Sequence, residues 1–178
     1  MNKKQQQSQE QLREIAEYFP IPEDFKLENI SWIPTDSGCE VGITSVYGVP
    51  QAKKDGHFVI NVAQEISSAA HAYIPIQAGD GWDSENPVEF IEDQRETVHL
   101  IACLIEGMLT CSDRKVVVHC HMGMERSVLA VAWWLHFHKG MTLDKAYETI
   151  CKARPIAIDR RNWIGESHSD ENEVFSYA

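Results

Sequence analysis

The sequence has no run of 18 or more apolar residues, so no segment of it reads as a transmembrane helix. Its opening stretch, MNKKQQQSQEQLREIAEYF, carries basic residues but no apolar block behind them, which argues against a secretory signal. Positive charge is scarce: Lys and Arg number 16 against 27 Asp and Glu, a formal net charge of −11. Such a field repels polyanions, so neither nucleic acid nor an anionic membrane is an expected partner. A site for an anionic substrate must therefore be positive locally, against the global sign. The five cysteines (Cys39, Cys103, Cys111, Cys120, Cys151) form no C-x-x-C pair and their count is odd, which excludes a disulfide framework and a cysteine-rich zinc module. A reduced, cytoplasmic setting is expected, with most of these thiols acting as small buried hydrophobes.

What is present reads as one globular α/β domain. At 178 residues, with 43% hydrophobic and 24% charged side chains, the chain is long enough to bury roughly 70% of its extended surface. Residues 1–11 are polar and Gln-rich and are expected to fray, before a short amphipathic helix through Leu12, Ile15, Ala16 and Phe19 that stops near Pro20 and Pro22. Strands are expected at 30–33, 40–44, 57–63, 71–76 and 115–119, the third a continuous apolar run suited to a parallel sheet covered on both faces. Helical periodicity spans 88–110, then 126–139 up to Gly140, then a last helix capped by Thr142 and stopped by Pro155. Strands interleaved with helices predict a central, mostly parallel sheet of about four to five strands flanked by helices. Residues 1–28 read as an N-terminal extension, 29–158 as the domain proper and 159–178 as an acidic tail, with Glu166–Glu173 solvated.

The stretch VHCHMGMERS passes from the strand at 115–119 to the helix at 126–139. Residues 120–126 are thus a strand-to-helix turn, where successive N–H groups and a helix N-terminus favour anions. A cysteine in such a turn beside an arginine titrates at about 3.5–7.5, against about 8.5 when free. Cys120 is therefore a candidate nucleophile, with the turn binding a phosphate beside it. Arg126 suits a bidentate grip on phosphate oxygens. Gly123 lets the backbone bend inward, and Ser127 can donate its hydroxyl to the sulfur. His121, Met122, Gly123, Met124 and Glu125 would line the cup, and His119 would support it through hydrogen bonds. A zinc reading of His119, Cys120 and His121 is disfavoured because neighbours on an extended segment point to opposite faces.

His119-Cys120, Gly123 and Arg126-Ser127 resemble the H-C-x-x-G-x-x-R-S signature of the cysteine-based protein phosphatases, and the flanking strand, helix and Ala153-Arg154-Pro155 resemble the dual-specificity branch. The resemblance covers roughly 29–158 and implies a protein tyrosine phosphatase-like fold. It also implies a metal-independent phosphomonoester hydrolase with a cysteinyl-phosphate intermediate and no cofactor. It further implies a general acid on a separate loop after an apolar-Pro-apolar strand. Ile74-Pro75-Ile76 precedes Asp80-Gly81, which makes Asp80 the implied acid and Asp83 the alternative. Trp82, between them, would either pack over the pocket or pin the loop.

No lysine or arginine occurs from 121 to 125, and Glu125 would repel extra negative charge. A singly phosphorylated substrate is expected: a phosphorylated protein (phosphotyrosine, and phosphoserine or phosphothreonine with it) or a small phosphomonoester. A phosphoinositide phosphatase, a phosphate-binding pseudoenzyme, and a sulfurtransferase or arsenate reductase are the rival readings.

Overall fold

The computed structural model describes residues 3–168. Helix α1 (Lys3–Ala16) leads into a hairpin, β1 (Ser31–Thr35) and β2 (Gly38–Thr44). A short turn and α2 (Val49–Lys54) follow, then β3 (Phe58–Ala63) and β4 (Ala72–Ile76). Helix α3 (Pro87–Cys111), strand β5 (Val116–His119), α4 (Arg126–Lys139) and α5 (Leu143–Ala153) complete the order, with a 3-10 turn at Arg161–Ile164. One five-stranded sheet runs β1-β2-β5-β3-β4. Only the β1–β2 hairpin is antiparallel; β5 pairs in parallel with β2 on one side and β3 on the other. The expected mostly parallel α/β sheet is what forms.

The packing follows from residue type. Val116, Val117 and Val118 of β5 and Val59, Ile60 and Val62 of β3 are fully buried, as β-branched residues in a sheet covered on both faces should be. One face carries α4, apolar on every side from Val128 to Leu135 and flanked by α3 and α5. The other face is covered by Val49 and Ala52 of α2, with Trp32 packed beside them. The six-residue α2 was not anticipated from the sequence; its first turn contains Pro50, which has no N–H to satisfy there. Gly140 ends α4 in the left-handed conformation (φ 67°), and Thr142 Oγ1 accepts from Lys145 N at 3.2 Å to open α5, both as the sequence predicts.

Three expectations change. Residues from Lys3 onward form helix rather than frayed chain, because α1 is tied down: Ser8, 3% exposed, donates to Glu28 (2.9 Å), and Tyr47 donates its hydroxyl to Gln11 (2.7 Å). Cys39, Cys103, Cys111 and Cys151 are exposed; only Cys120 is buried. The packed body also continues past 158, where Trp163 and Ile164 join the main core. Glu166 pairs with Arg95 at 3.3 Å, whereas residues 169–173 of the acidic stretch lie outside the described residues.

Because β5 is central and α4 is its immediate continuation, α4 should carry much of the stability. Leu129→Ala, at a fully buried position, is expected to cost about 2–5 kcal/mol. Thr142→Ala, which removes only the α5 cap, should cost about 1 kcal/mol. Urea unfolding with unchanged m-values checks both; equal losses would show that α4 is not the packing centre.

Candidate active site

The turn between β5 and α4 leaves the carboxyl end of the central strand, the place where open α/β sheets bind ligands. Its shape is fixed carbonyl by carbonyl, by its own flanks at the two ends and by distant segments between. Cys120 O accepts from His119 Nδ1 (3.0 Å) and His121 O from Val46 N (2.9 Å). Arg154 donates to the next two: Nη2 to Met122 O (2.9 Å) and Nε to Gly123 O (2.5 Å). Met124 O accepts from Ile158 N (2.8 Å) and Glu125 O from Leu129 N (2.7 Å). Six consecutive carbonyls are thus held by donors behind the loop. Peptide planes that turn their carbonyls outward turn their N–H groups the other way. Among the described residues, no N–H of 121–125 donates to another backbone or side-chain group. These N–H groups form a concave donor set of the kind that holds phosphate oxygens.

Gly123 is required here on two counts. Its φ is +71°, and a Cβ would lie 2.6 Å from both Arg154 Nη2 and Thr44 O.

Cys120 is 3% exposed, and its Sγ lies 3.3 Å from Ser127 Oγ, itself fully buried. A serine at the first turn of α4 thus sits within hydrogen-bond reach of the sulfur. His119 is fully buried on the last residue of β5. Its Nδ1 must donate, since a carbonyl only accepts, so Nε2 accepts from Ser68 Oγ at 2.9 Å. Burial pushes its pKa down against the opposing pull of the Cys120 carbonyl, so the ring is neutral and structural. His121 points elsewhere, into a cleft of about 440 Å³ walled by Tyr47 and by Gln7, Glu10, Gln11 and Glu14 of α1. The two histidines therefore share no common centre.

Arg126 is gripped by Glu65 in a two-pronged pair, both N···O distances 2.5 Å. That hydrogen bonding holds the Glu65 carboxyl well down, at about 2, and raises the guanidinium in turn. The fork leaves Nε–H and one hydrogen on each terminal nitrogen for a ligand. Glu65 sits just after β3, where buried Asn61 shapes the chain by accepting from Ala63 N (2.9 Å) and donating to Ile66 O (2.7 Å). A groove of about 530 Å³ runs past Asn61, Glu65, Ser68 and Tyr73. Glu125 is likewise engaged: its Oε1 lies 2.5 Å from Arg160 Nη2 and 2.6 Å from Nε. Its charge is paired with Arg160, which weakens the repulsion of extra substrate charge expected from Glu125. Met122 and Met124 are half-buried in the loop.

Asp80 lies in the loop after β4, half-buried, and its Oδ1 accepts from Trp82 N at 3.3 Å. Its hydrogen bond is within its own loop, not to the 120–126 turn. Asp83 is exposed, and Trp82 is 83% exposed, neither covering the pocket nor pinning the loop. The loop is fixed instead by buried Gln94 of α3, which accepts from Gln77 N (3.0 Å) and donates to Gln77 O (2.7 Å), and by the Asn86 cap of α3.

Sequence reading missed Glu65, Ser68, Arg154 and Arg160. Each acts through a contact more than 30 residues away in sequence, and only Arg154 was noticed at all, within the Ala153-Arg154-Pro155 helix end that carries part of the family resemblance, without a role of its own.

Residues 43–169 match the family described as dual specificity phosphatase, catalytic domain. Mouse laforin is 32% identical over 73 residues, which are 41% of this chain and 22% of laforin, so the chain spans well under half the length of that relative. Among solved structures, human DUSP28 superposes with a TM-score of 0.56 at 19% identity, over 70% of this chain and 82% of that one. The Yvh1 phosphatase domain of Chaetomium thermophilum gives 0.54 at 19%, over 76% and 91%. At these identities the structures attest the fold, while the family match spans most of the chain and includes the whole of the 120–127 turn: the chain belongs to the dual specificity phosphatase catalytic domain family.

Proposed function

We propose that the protein hydrolyses phosphomonoesters through a cysteinyl-phosphate intermediate. The observation that carries this is the set of six outward-held carbonyls around Cys120, with Arg126 at the rim. In the first step the Cys120 sulfur attacks phosphorus, the bond from phosphorus to the leaving oxygen breaks, and Asp80 delivers a proton to that oxygen. In the second, water attacks phosphorus, Asp80 takes its proton, and the P–S bond breaks to restore the thiolate, eased by Ser127. The loop amides and Arg126 hold the equatorial oxygens in both steps. No metal enters the scheme, since the cup itself supplies the positive field.

The proposed substrate is a phosphorylated protein, at phosphotyrosine and also at phosphoserine or phosphothreonine. Two features support single over multiple phosphorylation. Residues 121–125 contain no cation. The cleft beside His121 presents Glu10 and Glu14, which disfavour a second phosphate there. Five thiols and no disulfide suit a cytoplasmic location.

Purified protein should hydrolyse p-nitrophenyl phosphate equally in buffer and in chelator, and Cys120→Ser should abolish turnover without lowering the folded fraction. Loss of turnover on chelation would sink the mechanism. Asp80→Ala should slow turnover about 10²–10⁴-fold and remove its acid dependence; if Asp83→Ala does this instead, the acid is Asp83.

Glu65 is a positioning residue for Arg126. Glu65→Gln should lower kcat/KM about tenfold, a modest loss because the carboxylate is half-exposed. The sign with pH follows from the depressed carboxyl. Its stabilising effect is full above about 4.5 and fades as pH falls toward about 2. Melting curves of wild type and Glu65→Gln should therefore differ at neutral pH and converge over that acid range.

A further inference from the structure

Arg154 caps the C-terminus of α5 and is completely buried. Besides Met122 O and Gly123 O, its guanidinium reaches Ser31 Oγ (3.1 Å) and the carbonyls of Asn29 (3.4 Å), Ile43 (3.5 Å) and Leu27 (3.5 Å). The Phe25 ring lies 5.3 Å from its Cζ. Every one of these acceptors is neutral. The other arginines around the site each hold a carboxylate: Arg126 has Glu65, Arg160 has Glu125, and Arg161 has Asp144 and Asp159. Among the described residues, no carboxylate pairs with Arg154. A buried ion without a countercharge costs several kcal/mol, and carbonyl dipoles offset only part of that. Burial brings Arg154 down to about 10, opposed among the described residues by the charge of Cys120, and the two loop carbonyls that Arg154 holds belong to the turn that Cys120 opens.

We propose that Arg154 is a positioning residue that keeps the Cys120 sulfur anionic from behind the loop, as the second half of a charge pair separated by the loop backbone. Arg126 at the rim is committed to Glu65 and to the incoming phosphate. Among the described residues, Arg154 has no carboxylate to serve. The same guanidinium that shapes the cup by its donors also charges it. The inference deepens the phosphatase reading, because it concerns that reading's nucleophile, but it can be tested without any turnover.

The probe is iodoacetamide, and the readout is the rate of alkylation of the Cys120 peptide by mass spectrometry, which separates it from the four exposed cysteines. The ratio of that rate at pH 6 to that at pH 9 reads the anionic fraction. Arg154→Met is expected to lower this ratio about tenfold, the lower end of the effect a neighbouring opposite charge exerts. Arg154→Lys keeps the charge but loses the fork. It should hold the ratio within about twofold of wild type while turnover falls, since an ammonium lacks the planar fork that spans both loop carbonyls. An unchanged ratio in folded Arg154→Met overturns the proposal. If that variant does not fold, Arg154→Lys decides: a tenfold fall in its ratio means that fork geometry, not charge, sets the sulfur's state, and the proposal is wrong. Persistent turnover in Cys120→Ser would overturn the phosphatase mechanism and leave these ratios untouched.

Discussion

The site depends on where six carbonyls point. A strand-to-helix turn has no ladder to satisfy its backbone, and a buried C=O without a donor is costly. Here each carbonyl from Cys120 to Glu125 finds a donor: the adjoining β5 histidine and α4 itself at the two ends, and the turn after β2, the end of α5 and the segment after Pro155 between them. The N–H groups are turned inward as a consequence of that accounting. The cup is therefore preorganised by the fold rather than by a ligand, which is the condition under which fixed dipoles stabilise developing charge without reorganisation.

The global charge makes this arrangement more demanding. A chain of net −11 has to assemble a positive pocket from few cations. It does so by holding three guanidiniums around one seven-residue turn, each fixed differently. Glu65 orients Arg126, Glu125 is neutralised by Arg160, and Arg154 is enclosed by neutral acceptors. The two carboxylates engaged at the cup, Glu65 and Glu125, are consumed as partners of Arg126 and Arg160. A glutamate inside an anion-binding loop is thus compatible with the loop's chemistry when an arginine from beyond α5 takes it.

What could be read from the sequence was whatever is local. Periodicity located the strands and the three long helices, because the valine run of β5 and an apolar α4 admit few other placements. The proposed nucleophile, the rim arginine and the obligatory glycine lie within seven residues, so their coincidence was visible without coordinates. The outer ring was not, since Glu65, Ser68, Arg154 and Arg160 are ordinary polar residues until the fold brings them under the loop. The N-terminal segment misled for a related reason. Its Gln-rich composition suggests fraying, but Ser8 and Gln11 dock through two specific hydrogen bonds that composition does not register. The exposed cysteines show the same limit, because a small apolar side chain carries no pattern that fixes its side of a helix.

The proposed acid obeys a different constraint from the cup. A donor set for phosphate gains from rigidity, whereas a proton donor has to meet leaving groups of varied size. The loop after β4 reflects both needs. Its start is clamped by Gln94 and its end by the Asn86 cap, while Gly79 and Gly81 on either side of Asp80 adopt positive φ (110° and 75°). Gly81 packs directly against the Phe90 ring, where any larger residue would collide, so the turn is fixed relative to α3 even though Trp82 beyond it stands in solvent. Asp80 is thereby presented on a short arch with anchored ends, and its freedom is confined to the few backbone angles between them. The proposed chemistry, with one immobile charge centre and one adjustable proton donor, is thus divided between two loops that share no hydrogen bond among the described residues, each fixed by its own set of buried polar residues.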